Sequence, residues 1–234
     1  MKKVLVITGA SKGIGLAAAE KFASSGYNVV NISRSPCPLA GVNNLAIDLL
    51  KPNWPAQWNT HLLAAVGQPE QLVLIHNAAV LAKDSTQSVT ADALRSVLEL
   101  NVVAAAQLNQ LFLPLMKAGS AIVYVSSTLG TKAVANTCSY VISKHAVIGQ
   151  MRSTCQDLVG SKIHTACVCP GFTDTEMLRA HLGPDPAIYT SIAEGIAHKR
   201  LIEPQEIAET LWFCSQNPVI NGSVLHAHLG QIEN

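Results

Sequence analysis

The chain has 234 residues, 49% hydrophobic and only 13% charged, a composition that fits a large buried core and excludes a disordered segment. Lys plus Arg number 16 against 15 for Asp plus Glu, with no basic stripe, which argues against a nucleic-acid partner. The apolar run near Met1 breaks at Thr8-Gly9, too early for a secretory signal, and no apolar stretch is long enough to cross a bilayer. A soluble, cytoplasmic protein is expected, with Cys37, Cys138, Cys155, Cys167, Cys169 and Cys214 as free thiols.

Strand-like and helix-like segments alternate from end to end, the pattern of an α/β protein built on a parallel sheet. Lys3–Thr8 reads as a first strand, followed by glycines and a helix to about Ser25. Further strands are expected at Asn28–Ser33, Asn44–Asp48, Gln71–His76, Ala121–Ser127, Ile163–Cys169 and Ser223–His228. All seven are apolar enough to be buried on both faces, as parallel strands are. Between Arg34 and Asn44 too few residues remain for a helical crossover, so an irregular loop is expected. Ala93–Met116 is apolar nearly all round, and a second helix runs from Cys138 to about Val159. Residues 174–200 carry Met177, Leu178, Leu182, Ile188, Ile192 and Ile196 at helical spacing around a Gly-Pro-Asp-Pro break. This suggests short amphipathic helices forming a substrate lid. A helix near Pro204 follows. No repeat or linker divides residues 1–234, which are read as one domain.

The segment TGASKGIG (Thr8–Gly15) lies between the first strand and its helix. Gly9, Gly13 and Gly15 would allow a tight turn and close approach to a pyrophosphate, which the following helix N-terminus attracts. Taken alone, it could also be a glycine-rich turn without a ligand. At the end of the second strand, where NAD-binding folds place an acidic residue for the ribose, Ser33 and Arg34 stand instead. A hydroxyl and a guanidinium can bind a 2′-phosphate, and Lys12 adds a second cation, so NADP(H) is preferred over NAD(H). A solvated Arg34 is the plainer alternative. Tyr140 and Lys144 sit four apart on one helical face, either as an exposed aromatic–cation pair or as a phenol with a labile proton. Cys167–Cys169 and His226–His228 share period-two spacing, but apolar surroundings favour packing over metal ligation, and no metal site is expected.

These motifs together resemble the short-chain dehydrogenase/reductase family over almost the whole chain. TGASKGIG resembles its glycine motif, HNAA (His76–Ala79) its Asn-Asn-Ala-Gly segment, and Asn101 its catalytic asparagine. Ser127 lies thirteen residues before Tyr140, as the family serine does; Tyr140 and Lys144 match Tyr-x-x-x-Lys, and Pro170–Thr175 match the Pro-Gly segment. The resemblance implies a Rossmann-type doubly wound fold, a seven-stranded mostly parallel sheet with helices on both faces. It implies that Tyr140 protonates a carbonyl oxygen held by Ser127, that Lys144 binds the nicotinamide ribose and favours the phenolate, and that Asn101 holds a relay water. Ser11, Lys12, Ile14, Asn77, Ala78, Pro170, Gly171, Thr173 and Thr175 are then expected at the cofactor. Asp48 and Leu49 would flank adenine, although Asp48 could equally cap a loop.

His76 replaces the commoner Asn, Ala79 the commoner Gly, and the tail HAHLGQIEN lacks the family's frequent Asp-Gly-Gly. The expected activity is hydride exchange between NADP(H) and a small-molecule carbonyl or alcohol. A 3-oxoacyl-thioester reductase is a narrower alternative, and a non-catalytic NADP(H)-binding sensor a different one. Such a sensor should have lost part of the Ser-Tyr-Lys set, which is intact here. The apolar helix pair predicts a homodimer or homotetramer. Arg179, His181, Lys199 and Arg200 in the lid could meet an anionic substrate or simply water.

Overall fold

The computed structural model describes residues 1–232. Its strands are β1 (Lys3–Thr8), β2 (Asn28–Ser33), β3 (Asn43–Ala46), β4 (Gln71–His76), β5 (Ala121–Val125), β6 (His164–Pro170) and β7 (Ser223–Ala227). They form one sheet in the order β3-β2-β1-β4-β5-β6-β7, every pair parallel. Side chains alternate across the sheet, so each strand supplies two cores. Val4 and Val6 pack toward α2 (Trp54–Val66), α4 (Ala104–Phe112) and α5 (Cys138–Asp157), meeting Leu62, Leu108, Phe112 and Met151. Leu5 and Ile7 pack on the other face toward α1 (Gly13–Ser24) and α8 (Pro204–Gln216), meeting Ala18, Phe22 and Leu211. This is a Rossmann-type doubly wound sheet.

Strand order reverses between β1 and β4, whose carboxyl ends therefore part and open a crevice. The connection from β2 to β3 is irregular and contains no helix, as its length requires. Two expectations need correction. The first concerns the two edge strands, which are not buried on both faces: three of the four residues of β3 are exposed and β7 is only partly covered. An edge strand lacks a neighbour on one side, so part of its surface meets solvent whatever its composition.

The second concerns the apolar run 93–116, which is interrupted. After α3 (Ala91–Leu98), a π-helical turn over Glu99–Val103 precedes α4, and Leu113–Leu115 tighten into a 3₁₀ turn at Pro114. The extra residue of a π turn re-aims side chains, and here Asn101 is left buried. The stretch expected to be a lid holds α6 (Glu176–Leu182), capped by Thr175, and α7 (Pro186–Glu194), capped by Asp185. No helix among the described residues is long and apolar enough to cross a membrane.

Candidate active site

The crevice is a cleft of about 620 Å³. Every cofactor residue nominated from the sequence borders it, as do Ser127, Tyr140 and Lys144; Asn101 lies behind it, against a smaller cavity. The glycine turn is shaped by what a side chain would displace. Gly9 has φ +74° and Gly13 φ +55°, backbone that L side chains rarely adopt. A Cβ on Gly15 would lie 2.1 Å from the Gly9 carbonyl oxygen and 2.7 Å from Asn77 Nδ2. That crowding leaves the backbone bare on the cleft side, the cradle that a pyrophosphate needs.

Long-range hydrogen bonds hold this turn. Asn77 Nδ2 donates to the carbonyls of Thr8 and Gly9 at 3.0 and 3.1 Å, and Thr8 Oγ1 accepts from the backbone N–H of Asn77 and of Ala78. Asn31 Oδ1 accepts from Ala10 N–H at 3.0 Å. Thr8 and Asn31 escaped the sequence reading, because partners 69 and 21 residues distant leave no local signal.

At the far end, Ser33 and exposed Arg34 border the cleft, but Ser33 Oγ already accepts from Asn31 Nδ2 and donates to the Ser35 carbonyl. Lys12 is ion-paired at 2.6 Å with Glu176 of α6, an exposed pair across the mouth of the cleft. Asp48 Oδ1 accepts from Leu50 N–H, the capping contact weighed above, while Asp48 and buried Leu49 both border the cleft. Thr173 Oγ1 donates to the Gly171 carbonyl, and the Thr175 methyl lies beside Gly13.

The reacting groups converge on the floor. Helix α5 is pinned at its start by Asp84, which accepts from Ser139 N–H at 2.9 Å and from the Ser139 hydroxyl. Ser126 Oγ donates to the Lys144 carbonyl, and Ser143 Oγ to that of Tyr140. These contacts place the Tyr140 phenol beside the Ser127 hydroxyl. Burial pushes the Tyr140 phenol up to about 12, only partly offset by Ser127. Burial pulls the Lys144 ammonium down to about 8, opposed by Cys167 and Cys169.

The expectation that the ammonium drives Tyr140 toward phenolate is therefore corrected for this state. Lys144 Nζ sits 5.4 Å from the ring centroid and donates to the Val125 carbonyl at 2.8 Å, so desolvation prevails. Tyr140 keeps its proton at neutral pH, the form needed in a proton donor. The Asn101 side chain is tied into the protein as well. Its Oδ1 accepts from Val80 N–H, and both Nδ2 hydrogens are engaged, by the Val80 carbonyl and by Ser143 Oγ.

Cys167 and Cys169 are fully buried on β6 near Lys144, as packing predicts. His226 does not follow the packing expectation, being exposed on edge strand β7, while His228 Nδ1 accepts from Gln231 N–H. In the tail, Gln231 borders the cleft and Ile232 N–H donates to the Gly195 carbonyl; Glu233 and Asn234 lie outside the described residues. Cys138 is half-buried and does not border the cleft.

A dinucleotide cradle at the switch point of a parallel sheet, with a Ser-Tyr-Lys cluster on its floor, defines a nicotinamide-type oxidoreductase site. The family model described as short chain dehydrogenase matches residues 3–183. The chain belongs to the short-chain dehydrogenase/reductase family. It is 26% identical over 229 residues to the 3-oxoacyl-[acyl-carrier-protein] reductase MabA of Mycobacterium tuberculosis, covering 96% of this chain and 91% of that one. It is 31% identical over 242 residues to carbonyl reductase family member 4 of Danio rerio, covering 96% of each. Among solved structures, the aldohexose dehydrogenase of Thermoplasma acidophilum superposes with a TM-score of 0.89 at 27% identity, covering 98% of this chain and 94% of that one.

Proposed function

We propose that this oxidoreductase is an NADP(H)-dependent carbonyl reductase, and an alcohol dehydrogenase in reverse. The observation that carries the reading is the convergence of Ser127, Tyr140 and Lys144 beside the glycine cradle. The dinucleotide, when bound, supplies or accepts the hydride. Gly9, Gly13 and Gly15 leave room for its pyrophosphate; Ser33, Arg34 and Lys12 would meet a 2′-phosphate, for which Lys12 must exchange its bond to Glu176. Asp48 and Leu49 would flank adenine, and the Pro170–Thr175 segment the carboxamide.

Ser127 holds the substrate oxygen, and Tyr140, protonated at neutral pH, gives it a proton as the carbon is reduced. Lys144 would turn from Val125 to the ribose hydroxyls and help restore the phenol. Because both Nδ2 hydrogens of Asn101 are engaged, any relay water at Asn101 would donate to an oxygen of that residue. Residues of α6 and α7 such as Leu178, Leu182 and Ile192 would close as a lid over the substrate. These apolar walls and the likeness to an acyl-carrier-protein reductase favour one narrower reading, reduction of a 3-oxoacyl thioester.

Oxidation of NADPH and NADH, followed with ketones, aldehydes, quinones and 3-oxoacyl thioesters, tests the reading and sorts the substrates. Preference for NADPH is expected. Arg34→Glu, which removes a charged hydrogen-bonding fork and adds a repelling carboxylate, should weaken NADPH by about 10–100-fold and spare NADH. Wild-type preference for NADH would overturn the cofactor assignment.

Assembly as a homodimer or homotetramer through the outer face of α4 and α5 is part of the same proposal. Val103, in the π turn leading into α4, and Ile142 of α5 leave 38% and 41% of their surface exposed, beside helices otherwise packed on the sheet. Sedimentation at the monomer mass would overturn it.

A further inference from the structure

His76, the last residue of β4, is buried with its ring 4.9 Å from that of Tyr124, centroid to centroid. A directed chain of hydrogen bonds decides which of its nitrogens carries the proton. Thr154 Oγ1 donates its only hydrogen to the Gln150 carbonyl at 2.9 Å. The Tyr124 hydroxyl, 2.9 Å from Thr154 Oγ1, must therefore donate to it, and can only accept from Asn109 Nδ2 at 2.6 Å. Asn109 consequently turns Oδ1 toward His76, 2.8 Å from Nε2, so the ring hydrogen sits on Nε2. Nδ1 is left as a buried lone pair with no partner among the described residues. Burial pulls the imidazole down to about 4, so the ring stays neutral at physiological pH.

His76 lines a small cavity, about 10 Å³, which is room for about one water. The other polar side chains around it are Thr8, Asn101, Tyr124 and Lys144. Both Asn101 Nδ2 hydrogens are engaged and the Tyr124 hydroxyl makes two bonds, whereas Thr8 Oγ1 accepts two N–H groups and keeps its own hydrogen to donate. Lys144 also has ammonium hydrogens beyond the one given to Val125. Spare donors and an orphaned acceptor thus border one water-sized space.

We propose that this cavity is a single-water site in which the water accepts from Lys144 and donates to His76 Nδ1, making His76 a positioning residue for the proton path. The inference rests on the catalytic reading of Tyr140 and Lys144. A water oriented by a fixed acceptor turns its lone pairs toward the ammonium and favours the charged lysine against the cost of burial. The titratable groups that face Lys144 are Tyr140 on its own helix, Cys167 and Cys169 on β6, and Tyr124 and His76 across the cavity; among the described residues no carboxylate lines that space.

Two measurements test this. In wild-type protein labelled with ¹⁵N-histidine and free of cofactor, ring nitrogen shifts should show His76 as the Nε2–H tautomer, with Nδ1 unprotonated yet hydrogen-bonded. A proton on Nδ1, or an Nδ1 shift of a free lone pair, would overturn the proposal whether or not the protein turns over a substrate. In His76→Phe, the Lys144 titration read from ¹³Cε-lysine, and with it the alkaline limb of kcat/KM, should move to lower pH by about one unit. His76→Gln, which can donate to Asn109 and still present an oxygen, should restore most of that shift. A lower melting temperature with the Lys144 titration unmoved would reduce His76 to a packing role and overturn the assignment.

Discussion

Tyr140→Phe is expected to lower turnover by about 10³-fold, the scale of a lost general acid, while cofactor affinity stays nearly unchanged. The reason lies in two features of the same side chain. The ring fills a buried position on α5 that phenylalanine can also fill, so the floor of the cleft should keep its shape. The hydroxyl alone meets Ser127 and keeps its proton through the neutral range because burial pushes it up to about 12. Single-turnover mixing with saturating NADPH would separate the step from binding: the burst of cofactor oxidation should vanish, whereas quenching of protein fluorescence on binding should persist. Turnover close to wild type would show that another group supplies the proton and that the cluster has been misread.

The second large effect is expected at Gly15. Substitution by alanine usually stabilises a helix, by nearly 1 kcal/mol. Here the sign should reverse, since the added Cβ would lie 2.1 Å from the Gly9 carbonyl oxygen, a backbone atom that cannot swing aside. That same carbonyl takes a hydrogen bond from Asn77, so moving it disturbs the link between the ends of β1 and β4. Gly15→Ala should cost roughly 3 kcal/mol, the upper part of the range for overpacking, lower the melting temperature by roughly 10 °C and abolish dinucleotide binding. Thermal melts with and without NADPH check both halves. An unchanged melting temperature together with a normal ligand-induced rise would mean that the turn is far more pliant than its contacts indicate.

Much of the architecture and the Tyr140–Lys144 pair were legible in the chain because each depends on short-range pattern. Apolar runs between glycine punctuation mark strands; Tyr140 and Lys144 share a helical face by spacing alone; positive-φ turns at Gly9 and Gly13 favour glycine and so mark the cradle in the sequence. By itself that pattern therefore marked the parallel α/β sheet, the glycine turn and the shared face of Tyr140 and Lys144, while the doubly wound order and Ser127 as their neighbour came from the family resemblance. The sequence also determined that the β2–β3 link, too short for a helical crossover, is a loop.

Only tertiary structure decided how those groups behave, since burial and partners come from residues far apart in sequence. Proximity of a lysine suggested a lowered phenol, but burial reverses the sign at Tyr140. Asn101 was nominated by its resemblance, yet its amide is engaged by Val80 and Ser143, 21 and 42 residues away. Lys12 met Glu176 across 164 residues, and the exposure of β3 followed from its place at the sheet edge rather than from its composition. The tautomer of His76 is the extreme case: it is written nowhere near residue 76, and is set by a hydrogen-bond chain through Asn109, Tyr124 and Thr154 that exists only once the sheet and its helices have packed.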